Sequence, residues 1–565
     1  MSWFAGVFNS NQLSVIDYQI KCFCDYEFEF RTNNLLLWSD KNNTNISQNS
    51  DRLKILCGIV LQNTSDNWKM IETAWLSEYE CSSCCGHYIG LEYTPKGITI
   101  YNDKFGLREL YYFQDDETGT IYFSTRMDIL LNWRDDNVID WEEFGSYWLN
   151  RDPLGKGYFI KGIKRLNQAG RIRISNNQIH KTNGKWTAEP EEKYSNENLN
   201  IIIDNLVELL KAPDNSGYQT ELALSGGYDS RSLLAIMKHT GIDFEAITWG
   251  RADHPDVILA KELAKITGIC HKCIFNDIVE DDNSWQRFYD YCGRTQLVVM
   301  GTAVFELYHY HEIDKARVLL DGGSGEYIRR CLNANLEYRG RQAIIDKNAA
   351  QILRYMPRVR VDIFGEEQLQ SMREGLLSRA EKAVSEMPDA SKVGIGNWIE
   401  TWDVRQRVSN ISSRSQQVLD DIIKNYMPYI QPQIIEAAMK IPANIRAKNK
   451  ILEEILIKYA AELRKLPTIR NGLRMRYGIG RIEGKLRAVL QKEISYSNDT
   501  NRRFLVKYKD RINDMASECQ KLSDIYEPEK VNNLIRRYYQ EGSGENEVIW
   551  WLSFEVYRQQ FGIKK

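Results

Sequence analysis

The sequence predicts an α/β protein: a β-rich amino-terminal domain over residues 1–190, then a domain over residues 195–565 built on a parallel sheet with helical additions. Three observations carry this. Short apolar or alternating runs separated by turn residues fill the first part, helix and strand patterns alternate beyond Ser195, and from about Gly365 the apolar spacing is predominantly helical.

Leu53 to Leu61, Gly97 to Tyr101 and Thr120 to Ser124 are the clearest early strands. Between Lys185 and Asn200 the chain turns polar and acidic, and Pro190, Glu191 and Glu192 interrupt any periodicity, which suits an interdomain linker with the boundary near Ser195. Beyond it, helix Leu199 to Lys211, strand Thr220 to Leu224, helix Asp229 to His239 and strand Phe244 to Thr248 give the alternation of a parallel sheet. Later helices are expected at Glu367 to Glu386, Pro432 to Lys440 and Lys448 to Leu463.

Composition narrows the function classes. At 565 residues the chain exceeds one hydrophobic core, and 43% hydrophobic with 27% charged residues is the balance of an ordinary globular protein. The 74 basic and 77 acidic residues leave a net charge of −3, too weak to gather nucleic acid or an anionic membrane without a dedicated site. Met1 to Asn9 lacks a charged region followed by an apolar core, and no stretch reaches a membrane span. The expectation is a cytoplasmic protein with no nucleic-acid or membrane partner. Eleven cysteines at irregular positions read as reduced thiols. Cys81, Cys84 and Cys85, and Cys270 and Cys273 around His271, each offer one CxxC step without the second pair of a zinc ribbon, so no zinc is expected.

The most informative segment is Glu221-Leu-Ala-Leu-Ser-Gly-Gly-Tyr-Asp-Ser230, where an apolar strand runs into two glycines and a helix begins. Gly226 and Gly227 let main-chain N–H groups close around an anion, and the helix presents its positive end to the same place. Ser225 and Ser230 add hydroxyls. Asp229 beside a phosphate would repel it unless a divalent cation lay between them, so the pattern suggests magnesium. A plain turn with a helix cap would account for one polar residue and leave the other hydroxyls and both glycines without a role. Neither the GxxxxGK[ST] nor the GxGxxG nucleotide pattern is present.

Ser225-Gly-Gly-Tyr-Asp-Ser230 resembles the pyrophosphate loop of the ATP pyrophosphatases, which cleave ATP between the α and β phosphates. Other segments resemble the asparagine synthetase family in the same order over most of the chain. Met1-Ser-Trp-Phe-Ala-Gly-Val-Phe8 is similar to the opening of their glutaminase domain, Asn102 to Phe113 and Phe159 to Leu166 to later segments of it, and Asp321-Gly-Gly-Ser-Gly-Glu-Tyr327 to a second nucleotide loop. The resemblance implies a glutaminase-like, Ntn-hydrolase-like first domain and an ATP pyrophosphatase second domain. It implies a ligase that uses ATP and Mg2+ to adenylate a small-molecule or peptide carboxylate and passes it to ammonia or another amine; a homodimer is among the assemblies open to it.

By the same resemblance, Leu224, Trp249 and Gly250 border the adenine, with Asp256 beyond. Ser225, Gly226, Gly227, Asp229 and Ser230 together with Gly322, Gly323 and Ser324 hold the nucleotide, and Asp229 and Glu326 hold the metal. The segment Leu466 to Gly478 brings Arg474 and Arg476 to the reacting centre.

The sequence also departs from that family. Ser2 stands where the glutaminase has its nucleophilic cysteine, and a hydroxyl needs an activating base to replace a thiol. No Asn-Gly-Glu glutamine-binding segment is present, only Leu56-Cys-Gly-Ile-Val60 and a trace at Thr64-Ser-Asp66, so the first domain is expected to be a scaffold that makes no ammonia. Glu326 replaces an aspartate, Tyr327 a glutamate, and Arg476 a lysine that arginine cannot match as a base. Three readings stay open: amidation of a free acid, intramolecular ring closure as in the β-lactam synthetases and lasso peptide cyclases, and a nucleotide-binding pseudoenzyme. Thr295, Gln296 and Gly301 to Ala303 read either as substrate lining or as packing, and Arg405, Arg407 and Arg414 either as site residues or as a solvated helix face.

Overall fold

The structure is a computed structural model that describes residues 2–11, 13, 25–40, 44–64, 67–71, 84–150, 152–184, 186–187, 189–190, 195–275, 277–296, 308–329, 333–356, 360–420, 422–447, 449–470, 473–475, 499–519, 521–522 and 524–565. Met1, Asp66, Cys81, Glu191, Glu192, Gly301 to Ala303 and Arg476 lie outside the described residues.

The early strands form where the sequence places them, some a residue or two longer: Leu53–Asn63, Gly97–Asn102 and Ile121–Ser124. Among the described residues they belong to two antiparallel sheets of seven and six strands. Phe4–Phe8 lies inside the six-stranded sheet between Ile121–Ser124 and Leu35–Ser39, and the long pair Leu53–Asn63 and Cys84–Thr94 lies inside the other. The sheets share a core, with Phe4, Phe8, Leu35 and Leu37 meeting Leu53, Ile55, Ile89 and Ile100. Residues of opposite parity in Phe4–Phe8 point the other way, where Ala5 and Val7 pack with Trp38 and with Ile129 of the helix Met127–Asn132. Burial on both faces explains why this strand reads as a continuous apolar run.

Among the described residues the second half holds a five-stranded sheet in which every pairing is parallel. Its order is His271–Ile274, Phe244–Trp249, Thr220–Ala223, Val318–Asp321, Lys424–Tyr426. The chain therefore runs outward from Thr220–Ala223 to one edge, then returns to that strand's other side to build the opposite half. Ligands in such sheets bind at the carboxyl ends of the strands where the order reverses, here Thr220–Ala223 and Val318–Asp321.

The helices Asn196–Lys211, Tyr228–Thr240, Glu366–Ser385 and Pro432–Met439 match the expected ones closely. The stretch Lys448 to Leu463 divides into Lys450–Tyr459 and Ala461–Arg464, because Ala460 leaves helical geometry between them. Two features of the packing were invisible in the local pattern. Trp186, in the polar stretch, is buried edge-on against Phe105, and its carbonyl accepts from Arg405 at 2.7 Å. The last helix, Glu545–Gln560, shares a core with the first half: Trp551, Phe554 and Tyr557 belong to the same cluster as Phe144, Trp148 and Phe159. Among the described residues no helix is long and apolar enough to cross a membrane.

Candidate functional site

Two glycine turns meet at the reversal point of the parallel sheet. The first follows Thr220–Ala223, whose four residues are all buried. Leu224 prolongs its pairing, donating its N–H to Ile247 O at 2.9 Å and accepting from the Thr248 hydroxyl at 2.7 Å. The chain then bends sharply. Ser225 N–H donates to Ser230 Oγ at 3.0 Å, the two hydroxyls lie 3.0 Å apart, Gly227 N–H donates to Ser225 Oγ at 3.2 Å, and Gly226 N–H donates to Asp256 Oδ1 at 2.9 Å. Gly227 then opens the helix Tyr228–Thr240 without a capping side chain, and Asp229 lies in its first turn, where the helix dipole favours a carboxylate.

The second turn follows Val318–Asp321. Ala223 and Asp321 are register partners, so the two chains leave the sheet side by side. Their approach requires glycine: a Cβ on Gly322 would lie 2.8 Å from Ser230 N, and one on Gly325 would lie 2.4 Å from Asp229 Oδ1. Gly323 N–H donates to Asp321 Oδ1 at 2.8 Å. Ser324, at φ 66°, turns its hydroxyl to Met427 Sδ at 3.5 Å. Glu326 begins the short helix Glu326–Arg329. Burial raises the Asp321 carboxyl above its ordinary range, the Gly323 N–H pulls it down, and the nearby charge of Glu326 pushes it further up. Asp321 is a site residue the sequence reading did not single out. Its signal was an acid closing an apolar strand directly before two glycines.

The remaining predicted residues fall around these turns in different ways. Leu224 is 2% exposed and packs in the core with Leu222 and Leu234. Trp249 is half-buried with its ring 4.8 Å from that of Tyr310, and Gly250, at φ 127°, donates to Ile274 O at 3.1 Å. The strand Leu473–Met475 carries Arg474 opposite Ile469 of Thr468–Arg470. Ile469 Cγ1 would be 2.6 Å from a Cβ on Gly226, which brings this hairpin against the first turn. Arg231 ties the two together. Its buried guanidinium donates to Gly226 O at 2.9 Å, and to Leu463 O, Leu466 O and Pro467 O at 3.1, 3.3 and 2.6 Å.

Arg405, Arg407 and Arg414 do not form a solvated face. Arg405 donates to main-chain carbonyls, and Arg414 is 1% exposed, bonded to Glu109 and the Tyr147 hydroxyl. Arg407 pairs with Asp152 at 3.1 Å. Burial works against its charge, but Asp152, Tyr327, Asp403 and Glu326 together raise its pKa. These arginines lie on the run Val404–Ser412, wound as a π-helix, and on the helix Ser413–Asp420. Thr295 is buried, and Gln296 adopts φ 53° at the end of the helix Ser284–Thr295. Among the described residues no three His, Cys, Asp or Glu side chains are grouped so as to hold a metal ion.

Ser2 lies apart from the turns, in the amino-terminal half, 5% exposed, with its hydroxyl accepting from Gly58 N–H at 3.0 Å. The adjoining Cys57 thiol is pushed up to about 12 by burial, with hydrogen bonds from Thr44 and Ser2 opposing the rise. Replacing Ser2 by alanine is expected to leave the Gly58 N–H without its acceptor and to cost about 1–3 kcal/mol, read from denaturant unfolding. An unchanged midpoint would mean that water takes the hydroxyl's place. No protein-family model and no curated protein matches this sequence.

Proposed function

We propose that this protein is an AMP-forming carbon–nitrogen ligase of the asparagine synthetase type, in which a carboxylate attacks the α phosphorus of ATP and an amine then displaces AMP from the acyl adenylate. The observation that carries the reading is the juxtaposition of two glycine turns where the order of the parallel sheet reverses, the first opening a helix that has no side-chain cap.

The residues fit a magnesium nucleotide in two respects. The helix that begins at Gly227 lacks the capping side chain that an anion would otherwise have to displace. Asp229 on one turn faces the second turn, where burial raises the Asp321 carboxyl above its ordinary range and the charge of Glu326 adds to the rise, a repulsion that a divalent cation relieves. With no cluster of three protein ligands among the described residues, Asp229 and Glu326 would share the ion with phosphate oxygens and water, as magnesium usually is shared. Bound there, magnesium would neutralise the departing pyrophosphate.

The chain's own groups then have separate tasks. Ser225, Gly226, Gly227 and Ser230 cradle the pyrophosphate; to do so, the Ser225 and Ser230 hydroxyls exchange their mutual bond for phosphate oxygens, and the Gly226 and Gly227 N–H groups give up Asp256 Oδ1 and Ser225 Oγ for them. Arg474, on the strand paired with the one that reaches the first turn, offsets charge as AMP leaves, a task Arg476 would share. The glutaminase-like half acts as a scaffold, supported by the burial of Ser2, and the acceptor amine is free ammonia, an amine on another molecule or one within the substrate itself.

The test is pyrophosphate release over a panel of carboxylic acids with ammonium as nucleophile, alongside glutamine hydrolysis. Ser230→Ala is expected to slow release by about tenfold, the effect of one hydrogen bond to a charged group. Undiminished turnover in that variant sinks the proposed cradle. Nucleotide binding without pyrophosphate from any acid identifies a pseudoenzyme instead.

A further inference from the structure

The helix Pro255–Thr267 sends an acid across to the first glycine turn. Pro255 opens it with no N–H to satisfy, and His254 caps it, its Nδ1 accepting from Asp256 N–H at 3.2 Å. The Asp256 carboxylate is thus not the group that caps its own helix. It reaches outward instead, and its Oδ1 accepts from Gly226 N–H at 2.9 Å. We propose that Asp256 is a displaceable anion of the first turn: its carboxylate holds the Gly226 N–H at rest, yields it to a phosphate oxygen, and by taking it back hastens the departure of pyrophosphate. The inference rests on reading that turn as a pyrophosphate cradle.

The three N–H groups of the turn that meet side-chain acceptors are not equivalent. Ser225 N–H donates to Ser230 Oγ at 3.0 Å and Gly227 N–H to Ser225 Oγ at 3.2 Å. Both acceptors are hydroxyls, which can rotate in place and donate to an arriving phosphate. Gly226 N–H alone of the three meets a carboxylate, which when ionised accepts only and has nothing to offer another anion. The hydroxyls can therefore stay and join the ligand, whereas Asp256 has to leave. Its bond is also the strongest of the three to break, because a hydrogen bond to an ionised acceptor is about twice as strong as one between neutral groups.

The geometry allows both the departure and the return. The Asp256 side chain is 32% exposed, so once displaced it turns into water by rotating about its own bonds. The backbone on either side stays where it is. Arg231 holds Gly226 O at 2.9 Å, and a Cβ on Gly226 would lie 2.6 Å from Ile469 Cγ1 and 3.0 Å from Leu259 Cδ2, so the turn is wedged between apolar neighbours. Leu259, on the same helix as Asp256, is buried and fixes that helix beside the turn. A tethered carboxylate competes as an intramolecular ligand and returns when the phosphate oxygen lets go.

The carboxylate weakens every anion that uses the Gly226 N–H, ATP and pyrophosphate alike, and so it does not choose between them. What it changes is residence. Pyrophosphate is the product that keeps the turn after AMP and the acyl group have moved on, and a returning carboxylate shortens its stay.

The experiment is calorimetric titration of the full-length protein with pyrophosphate and with ATP, both with magnesium, at about pH 8. Release of labelled pyrophosphate on dilution gives the dissociation rate. Asp256→Asn keeps the shape and removes the charge, and it is expected to bind each ligand about tenfold more tightly, mainly through slower dissociation. Asp256→Ser, too short to reach Gly226, should also bind about tenfold more tightly. Adding Ser230→Ala to Asp256→Asn should weaken binding again, which assigns the gained affinity to the first turn. Affinity equal to or below wild type in both Asp256 variants, with Ser230→Ala still weakening pyrophosphate binding, overturns the inference and leaves the cradle standing. A gain that Ser230→Ala does not reduce overturns it as well, because the anion then sits elsewhere. Saturable binding in neither wild type nor variants overturns the inference and the cradle together.

Discussion

Replacing Arg231 by methionine is expected to destabilise the protein by about 3–5 kcal/mol and to abolish whatever the first glycine turn does. The side chain is completely buried, and its guanidinium spans four main-chain carbonyls, one on the turn and three on the segment that leads into the hairpin at Thr468–Arg470. Burial lowers its pKa to about 10, with Tyr228 and Glu262 opposing the shift, so it remains a cation at neutral pH. Methionine fills much of the volume but takes the guanidinium donors from all four oxygens, of which Leu463 O keeps the Leu466 N–H at 3.3 Å, in a place water reaches poorly. Lysine restores the charge yet cannot span carbonyls on both segments, so Arg231→Lys should recover only part of the loss. Denaturant unfolding gives the stability change. Limited proteolysis distinguishes its origin, because release of the clamp should make the chain near Pro467 more readily cut under native conditions. If Arg231→Met unfolds at the wild-type midpoint with the same cleavage pattern, the four bonds do not hold the segment.

The first turn was legible in the sequence because its determinants are local. An apolar run, two glycines and a polar helix start occupy consecutive positions, and the structure ends the strand at Ala223 and starts the helix at Tyr228 accordingly. The second turn was legible for the same reason, but the meeting of the two was not. That depends on Val318–Asp321 pairing with Thr220–Ala223 rather than with a sheet edge, a choice made by helix packing over about a hundred intervening residues. Asp321 gains its significance only from that pairing and from Glu326. Arg231 was hidden for a different reason: inside a helix its pattern is that of any charged residue, and three of the four carbonyls it holds lie more than two hundred positions away. The buried charges Arg108, Glu109 and Arg165 were hidden likewise, and Arg414 could equally be read as a solvated face, since a charge is ordinarily read as exposed and only the tertiary fold pairs Arg108 with Asp420 and Glu109 with both Arg165 and Arg414.

Enlarging Gly375 to valine is expected to produce a comparable loss of stability with no involvement of the glycine turns. The helices Trp141–Trp148 and Glu366–Ser385 cross with their backbones almost touching: a Cβ on Gly375 would lie 2.1 Å from Glu142 O, and one on Gly145 would lie 2.0 Å from Met372 O. Both obstacles are main-chain atoms, so no rotamer change relieves the clash and the helices must move apart. Such movement is transmitted to the aromatic core, because Phe144 and Trp148 on the shorter helix each pack 5.3 Å from Phe554 of the last helix. Overpacking of this kind costs about 1–3 kcal/mol, and here the rigid obstacle and the aromatic cluster place Gly375→Val at the upper end or beyond. The two glycines report on one separation, so Gly145→Ala combined with Gly375→Ala should cost clearly less than the sum of the single changes: once the helices have parted, the second methyl enters space already opened. Strict additivity in denaturant unfolding, or single variants within about 0.5 kcal/mol of wild type, would mean that the helices already stand further apart than this crossing requires.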